Sequence, residues 1–199
     1  MAEAKKPFYI SFTHDRIPQQ VDHSRSSPGP TGRSANLAGY TSIKSKARLT
    51  IAWDDGSTGA DGRVPIFARS VNIYFWLTDF LIAISSNFAA HSCAYQATHR
   101  HEQEAHIYDP IRIFHSFRDI LIRRINVIAV PTREVPLRVA SSQIESRQEE
   151  VERQIIHAIS LTRRELLRDL QQARVRHDNA ASYRLVYNQC TDAQWVSGR

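Results

Sequence analysis

Residues 99–106, His-Arg-His-Glu-Gln-Glu-Ala-His, interleave three histidines with two carboxylates just downstream of a strongly apolar run. Neutral imidazoles on a rigid element are zinc ligands, and a carboxylate beside the metal's water is the base that takes its proton. His101, Glu102 and His106 supply these types, so the pattern calls for Zn2+ with Glu102 as general base. The usual helical form is H-E-x-x-H, in which both histidines point the same way. Here the spacing is H-E-x-x-x-H. His101 and His106 stand about 140° out of line on a regular helix, so they can share an ion only if the helix carries a one-residue π-type bulge.

A second register uses His99, Glu102 and His106, at i, i+3 and i+7 on one face of an undistorted helix, but it lacks an obvious base. A metal-free polar run would instead be a solvated helix face. Context favours the metal, because the run follows strand-like sequence and opens a long helix.

A third ligand has to come from elsewhere. Ser142 reads as the cap of a long helix to about Arg176, with an apolar seam of Ile144, Val151, Ile155, Ile159, Leu166 and Leu170. Glu145, Glu149 and Glu152 edge that seam, and Glu149 is the expected third ligand, as in zinc peptidases that use His, His and Glu. Ordinary pairing with Arg147 and Arg153 competes for these carboxylates. His115 and His177 are rival ligands.

Two cysteines are too few for a structural zinc cage. A bond between Cys93, just before the candidate metal helix, and Cys190, near the C-terminus, would tie the tail to the site and imply an oxidising compartment. Two buried thiols are the cytosolic alternative. With the tether in place, Tyr183 becomes a hydrogen-bond donor to an oxyanion.

The elements that must position these groups are legible in outline. Residues 8–12 form a short strand, and 14–45 are rich in Ser, Pro, Gly and Arg, with 26–32 the clearest breaker cluster, so this stretch reads as loop. Residues 47–53 and 64–68 form a hairpin across turn signals at Asp54-Asp55-Gly56 and Asp61-Gly62. Residues 71–77 alternate, Thr78-Asp79 read as a turn, and 80–84 return as a hairpin partner. Ser92 caps the metal helix, and Pro110 bends or restarts it ahead of the apolar face of Ile111, Phe114, Phe117, Ile120, Leu121 and Ile125.

The 199 residues, 42% hydrophobic, fit one domain of moderate size plus a tail. No stretch is long and apolar enough to cross a bilayer as a helix; residues 71–90 are interrupted by Asn72, Asp79 and Asn87. Residues 1–7 hold an acid and a Pro where a secretory signal needs an apolar segment, so either export takes another route or a signal has been removed. The net charge of +6 is spread as arginines mixed with acids along helices, which argues against nucleic acid as a primary partner.

Ser92-Cys93-Ala94-Tyr95 running into His101-Glu102-Gln103, with a sheet before, long helices after and an Asp-containing tail ending near Gln194-Trp195, resembles the bacterial predicted secreted zinc-dependent proteases. The resemblance covers roughly the last two thirds of the chain. The family motif is H-E-x-x-H, so His101 and Glu102 carry over and His106 matches with one extra residue. The family tail has a Tyr-Asp pair and then a His; here Asp178 matches, His177 stands at the Tyr, and Tyr183 lies near the place of the His. The longer spacing with a downstream acidic cluster is also similar to the dipeptidyl peptidase III type, which the surrounding chain does not otherwise resemble.

These readings give an α+β, zincin-like fold: a small antiparallel twisted sheet, a metal-bearing helix and a long C-terminal helix. Residues 1–46 are expected to be an N-terminal extension and 47–199 the metallopeptidase domain. The expected activity is zinc-dependent hydrolysis of a peptide or protein substrate, secreted or otherwise extracytoplasmic. His101, His106 and Glu149 would be ligands, Glu102 and Tyr183 catalytic. Strand 80–84, if at the sheet edge, would pair with the substrate backbone. The rival is a non-enzymatic protein-interaction module on a degenerate zincin-like or helical scaffold.

Overall fold

The computed structural model describes residues 7–17, 22–24 and 39–196. The fold is α+β. Strands β1 (Phe8–His14), β2 (Asp22–Ser24), β3 (Gly39–Asp55) and β4 (Arg63–Ser85) precede helix α1 (Cys93–Gln103), a π-helical turn (Glu104–Tyr108) and α2 (Asp109–Asn126). Strand β5 (Leu137–Ala140) and a 3-10 turn (Ser141–Gln143) then lead into α3 (Ile144–His177), α4 (Ala180–Tyr187) and α5 (Asp192–Val196).

The long β4 organises a five-stranded sheet in which β1, β2, β3 and β5 all pair with it. The β4–β5 pair is antiparallel and the β4–β2 pair parallel, so the sheet is mixed where an antiparallel one was expected. The expected hairpin between 71–77 and 80–84 does not form, because Thr78-Asp79 do not reverse the chain. Asp79 takes a left-handed conformation (φ 57°), which an Asp side chain tolerates, and the strand continues through it. Thr78 Oγ1 donates to Asp15 Oδ2 (2.5 Å) and Asp79 Oδ1 (3.1 Å), while Lys44 pairs with Asp79 (3.2 Å). Nor are residues 80–84 an edge: Ala83, Ile84 and Ser85 pair with β2. Among the described residues β3 pairs with β4 alone, as do β1, β2 and β5.

The chain divides into two compact units, each assembled from separated segments. One comprises 1–13, 46–76 and 115–166. Its buried groups include Ile66, Ile73 and Phe75 of β4, Leu121 and Ile125 of α2, and Ile155 and Leu166 of α3. Arg124 joins its two helices, donating to Thr162 Oγ1 (3.0 Å) and Glu165 Oε1 (2.7 Å). The other comprises 14–45, 77–114 and 167–199. There Ile82, Ile84 and Ile107 are fully buried, with Ile17, Ile43, Phe80, Phe88, Tyr95 and Ile111 packed around them.

The expected extension, 1–46, is therefore not separate from the fold: it supplies β1, β2 and the start of β3, and both units draw on it. The breaker cluster at 26–32 lies outside the described residues. The long helix starts from the 3-10 turn that contains Ser142, after Ala140, which makes no side-chain cap, so Ser142 is not its N-cap. No helix among the described residues is long and apolar enough to cross a membrane.

Cys93, the first residue of α1, is disulfide-bonded to Cys190, between α4 and α5. Trp195 of α5 stacks on Tyr187 at 4.8 Å and meets the edge of Phe88 at 5.6 Å. The bond spans a sequence separation of 97 residues. A loop of that length restricts the unfolded chain by about 4 to 5 kcal/mol in the chain-entropy model. The double substitution Cys93→Ser/Cys190→Ser should lower the free energy of unfolding by about that amount in guanidinium titrations. Two reactive thiols in denatured, unreduced protein would contradict the bond.

Candidate metal centre

Ser92 begins the site-bearing helix as the sequence requires. Its hydroxyl accepts the Tyr95 backbone N–H at 3.1 Å, satisfying one of the free donors of the first turn. Ala94, Ala97 and Thr98 bury the inner face of α1. Past Gln103 the helix widens into the π turn, where the Asp109 N–H bonds to the carbonyl of Glu104, five residues back. The reason lies one residue further on. Pro110 has no N–H for the carbonyl of His106, and its ring would collide with that carbonyl in a regular α-helix.

The extra residue brings His106 round to His101. Their rings meet edge to face, with centroids 5.2 Å apart. Asp178, in the break between α3 and α4, completes the group: one ligand atom from each of His101, His106 and Asp178 lies within 4.8 Å of the others. His106 Nε2 is 3.1 Å from Asp178 Oδ1. A tetrahedral ion with bonds near 2.0–2.1 Å sets its ligand atoms about 3.3–3.5 Å apart, so a small contraction of this triangle would close it on a metal. His101 Nε2 is buried with no hydrogen-bond partner among the described residues. A buried, unpartnered imidazole nitrogen in a His-His-Asp cluster fits a metal ligand, and the three side chains can hold a metal ion.

Glu102 is set apart from the cluster. Its side chain is buried, the residue being 4% exposed, and Thr41 Oγ1 of β3 donates to its Oε2 at 2.7 Å. Gly39, at the start of β3, is packed so closely that a Cβ there would fall 2.8 Å from Glu102 Cγ, Glu102 Oε1 and Thr98 Cγ2. Only glycine lets the strand cross the helix here.

The two carboxyls are tuned in opposite directions. Burial pushes Glu102 above the usual carboxylate value, against the opposing pull of the Thr41 hydrogen bond and of His106. Burial acts upward on Asp178 too, but the hydrogen bond and charge of His106, with the hydrogen bonds of Tyr183 and Arg174, outweigh it and hold that carboxyl low. Burial, then the proximity of His106, lowers the pKa of His101, keeping it in the neutral form that binds metals. Burial and the Asp178 charge raise the Tyr183 hydroxyl, so it stays protonated.

Around this centre, Tyr183 donates to Asp178 Oδ1 (3.2 Å), with its ring 5.6 Å from that of His101. Arg174 Nε donates to Asp178 Oδ2 (3.3 Å). His177 bonds to Asp109 (3.1 Å) and presents its ring to the edge of His106 at 6.2 Å. Asn179 accepts the N–H groups of Ala181 and Ser182, opening α4 immediately after Asp178.

The structure thus gathers His101, His106, Glu102 and Tyr183 and takes its third candidate ligand from Asp178 rather than Glu149. Glu149 belongs to the other unit, where it is exposed and paired with Arg153 at 3.2 Å. Glu145, Glu152 and His115 belong to that unit as well. His99 stacks on Tyr95 with centroids 6.1 Å apart and stays out of the cluster, so the His99-Glu102-His106 register is not assembled. Asp178 showed in the sequence through its place beside His177 and Tyr183 in the tail and its match to a family tail, not as a ligand. Gly39 and Thr41 sit in sequence that reads as loop and carried no signal of their own.

Compared with protein-family models, with curated proteins and with solved structures, the chain finds no match in any of the three.

The raised Glu102 carboxyl has a measurable consequence in metal-free protein. A carboxyl whose folded pKa exceeds its ordinary 4.5 contributes stability that is complete below that value and is lost as pH rises through the folded pKa. Gln can still accept the Thr41 hydrogen bond but carries no charge to bury. The stability of Glu102→Gln relative to wild type should therefore rise between pH 4.5 and neutral pH in urea titrations. An unchanged difference would mean that the carboxyl is not held in a desolvated site.

Proposed function

We propose that this chain is a zinc-dependent hydrolase of peptide bonds, with His101, His106 and Asp178 holding the ion. The observation that carries the reading is the gathering of one ligand atom each from His101, His106 and Asp178 within 4.8 Å of one another, with the buried carboxyl of Glu102 following His101 on the same helix. Its neighbours hold the Asp178 carboxyl low, which suits a ligand, and burial pushes Glu102 up, which suits a base. When bound, zinc supplies Lewis acidity, lowering the pKa of water and polarising a carbonyl oxygen.

The chain's own groups do the rest. Glu102 takes a proton from the attacking water and passes it to the leaving amine, and its elevated pKa brings it nearer the operating pH, where such exchange is most efficient. Thr41 fixes one carboxyl oxygen and so orients the other. Tyr183, kept protonated, would turn its one hydroxyl hydrogen from Asp178 to the oxyanion that develops on the scissile carbonyl. His177 and Asp109 pack behind His106 and restrain its ring. The outer edge of β3, which lies over Glu102 through Gly39 and Thr41, offers backbone groups to an extended substrate, the role first assigned to 80–84.

His101, Glu102 and Asp178 match the pattern of the secreted zinc-dependent proteases, from whose H-E-x-x-H spacing His106 departs by one residue, and the disulfide suits an oxidising, extracytoplasmic setting. A non-enzymatic module on the same scaffold is the alternative, and metal content with turnover separates the two. Purified protein should hold about one zinc per chain, as a three-ligand catalytic site does, and lose it in His101→Ala, His106→Ala and Asp178→Ala but not in Glu149→Ala. Glu102→Gln should keep zinc while peptide cleavage falls about a hundredfold or more. Protein that stays metal-free after zinc reconstitution would refute the reading, and zinc loss in Glu102→Gln would make Glu102 a ligand instead of a base.

A further inference from the structure

Beside His106 lies a cavity of about 300 Å³, the size of a site for one small group. Part of its lining is aliphatic, from Ile43 of β3, Ala105 of the π turn, Pro110, and Leu167 and Leu170 of α3, while Tyr40, Thr41, Ser42 and Gln171 contribute polar groups. Arg174 stands one turn beyond Leu170 on the same helix and lines the cavity too. Arg174 Nε is committed to Asp178, but its two terminal nitrogens have no acceptor among the described residues. Half of the side chain is exposed. A part-aliphatic pocket with a half-free guanidinium at its margin, touching a candidate ligand, is complementary to one kind of group. That group is an apolar side chain followed closely by a carboxylate, which the planar fork of Arg can bind by two parallel hydrogen bonds.

Resting on the hydrolase reading, we propose that this cavity selects the substrate: it takes the Leu- or Ile-like side chain of the residue adjoining the scissile bond, and Arg174 holds a carboxylate beside it. The carboxylate is either the free C-terminus of the peptide or an acidic side chain next along it. The aliphatic part of the lining rejects polar side chains, since a buried polar group with no partner is costly. A side chain shortened to Ala leaves the cavity part-filled and loses the corresponding transfer energy.

The test is equilibrium binding to the metal-free, disulfide-bonded full chain, followed by calorimetry with small probes, so its outcome does not depend on turnover. N-acetyl-leucine should bind about tenfold more tightly than N-acetyl-alanine, which gives up the buried aliphatic carbons, and about tenfold more tightly than N-acetyl-leucine amide, which gives up hydrogen bonds to a charged group. N-acetyl-leucyl-aspartyl amide tells the two carboxylate sources apart. If it binds better than N-acetyl-leucine the acidic side chain is the partner, and if worse the chain terminus is; either ranking supports the pocket. Leu170→Phe, which fills the cavity, should abolish the preference for Leu over Ala, and Arg174→Met should abolish that for acid over amide. Equal binding of leucine acid, leucine amide and alanine acid by the wild-type chain would overturn the proposal, as would preferences that survive both substitutions.

Discussion

One residue too many in a helical turn is the constraint on which the centre depends. On a regular helix His101 and His106 diverge, and α1 would carry two unrelated surface imidazoles. The π turn at Glu104–Tyr108 makes them neighbours, and Pro110 explains why the distortion sits there and not elsewhere. A proline in the first turn of a new helix costs little, because its missing N–H would be unpaired in any case. The chain therefore ends α1, widens once and restarts as α2, and that local defect places His106 against Asp178. Without the defect, Asp178 would lose a strong donor and keep only Tyr183 and Arg174.

Two elements far apart in sequence then divide the labour around the helix. The start of β3 closes over Glu102 and dries it, which is possible only because position 39 has no side chain. The break between α3 and α4 brings Asp178 with three donors around it, so that carboxylate stays charged despite partial burial. Desolvation is the leading influence on both acids, yet their outcomes are opposite, because Glu102 has the one strong donor Thr41 and Asp178 has several. The disulfide ties the segment after α4 to the first residue of α1, and Tyr183 of α4 lies against His101 in the last turn of the same helix.

How much of this was legible follows from the range over which each signal acts. The Ser92 cap, the need for a π-type bulge between the histidines and the restart at Pro110 are all set within a few residues, and the sequence displays them directly. The Cys93–Cys190 pairing was readable because only two cysteines exist to be paired. Thr78-Asp79 misled because both residues suit turns. What carries the strand through them is pairing along β4 and a hydrogen bond to Asp15, neither of which leaves a local mark. The same holds for Gly39 and Thr41, whose neighbours look like loop and whose strand exists through its pairing with β4. Glu149 attracted attention by lying on a helix edge near apolar residues. Helix phase says which face a carboxylate occupies but not which unit that face joins, and Asp178, outside any periodic pattern, had only its place near Tyr183 to mark it.

The orphaned His101 nitrogen bears on why the cluster is better read as an ion site than as a His106–Asp178 ion pair with neighbours. A simple ion pair is satisfied by two groups, and a second imidazole beside it adds burial without a bond. Leaving a buried donor or acceptor unmet costs about 1–3 kcal/mol, a sizeable part of the stability of a domain this small. The surroundings also keep His101 neutral, which removes any gain from pairing it with Asp178 as a cation. Among the described residues this nitrogen has no hydrogen-bond partner, and in the tautomer protonated on Nδ1 its lone pair is open to a cation. A cation bound there would recover the unmet interaction and draw in the ligand from the α3–α4 break. Its binding energy would then appear as added stability of the unit that contains β3's start, α1 and the tail, the coupling of folding to ligation expected where a site is assembled from separate segments.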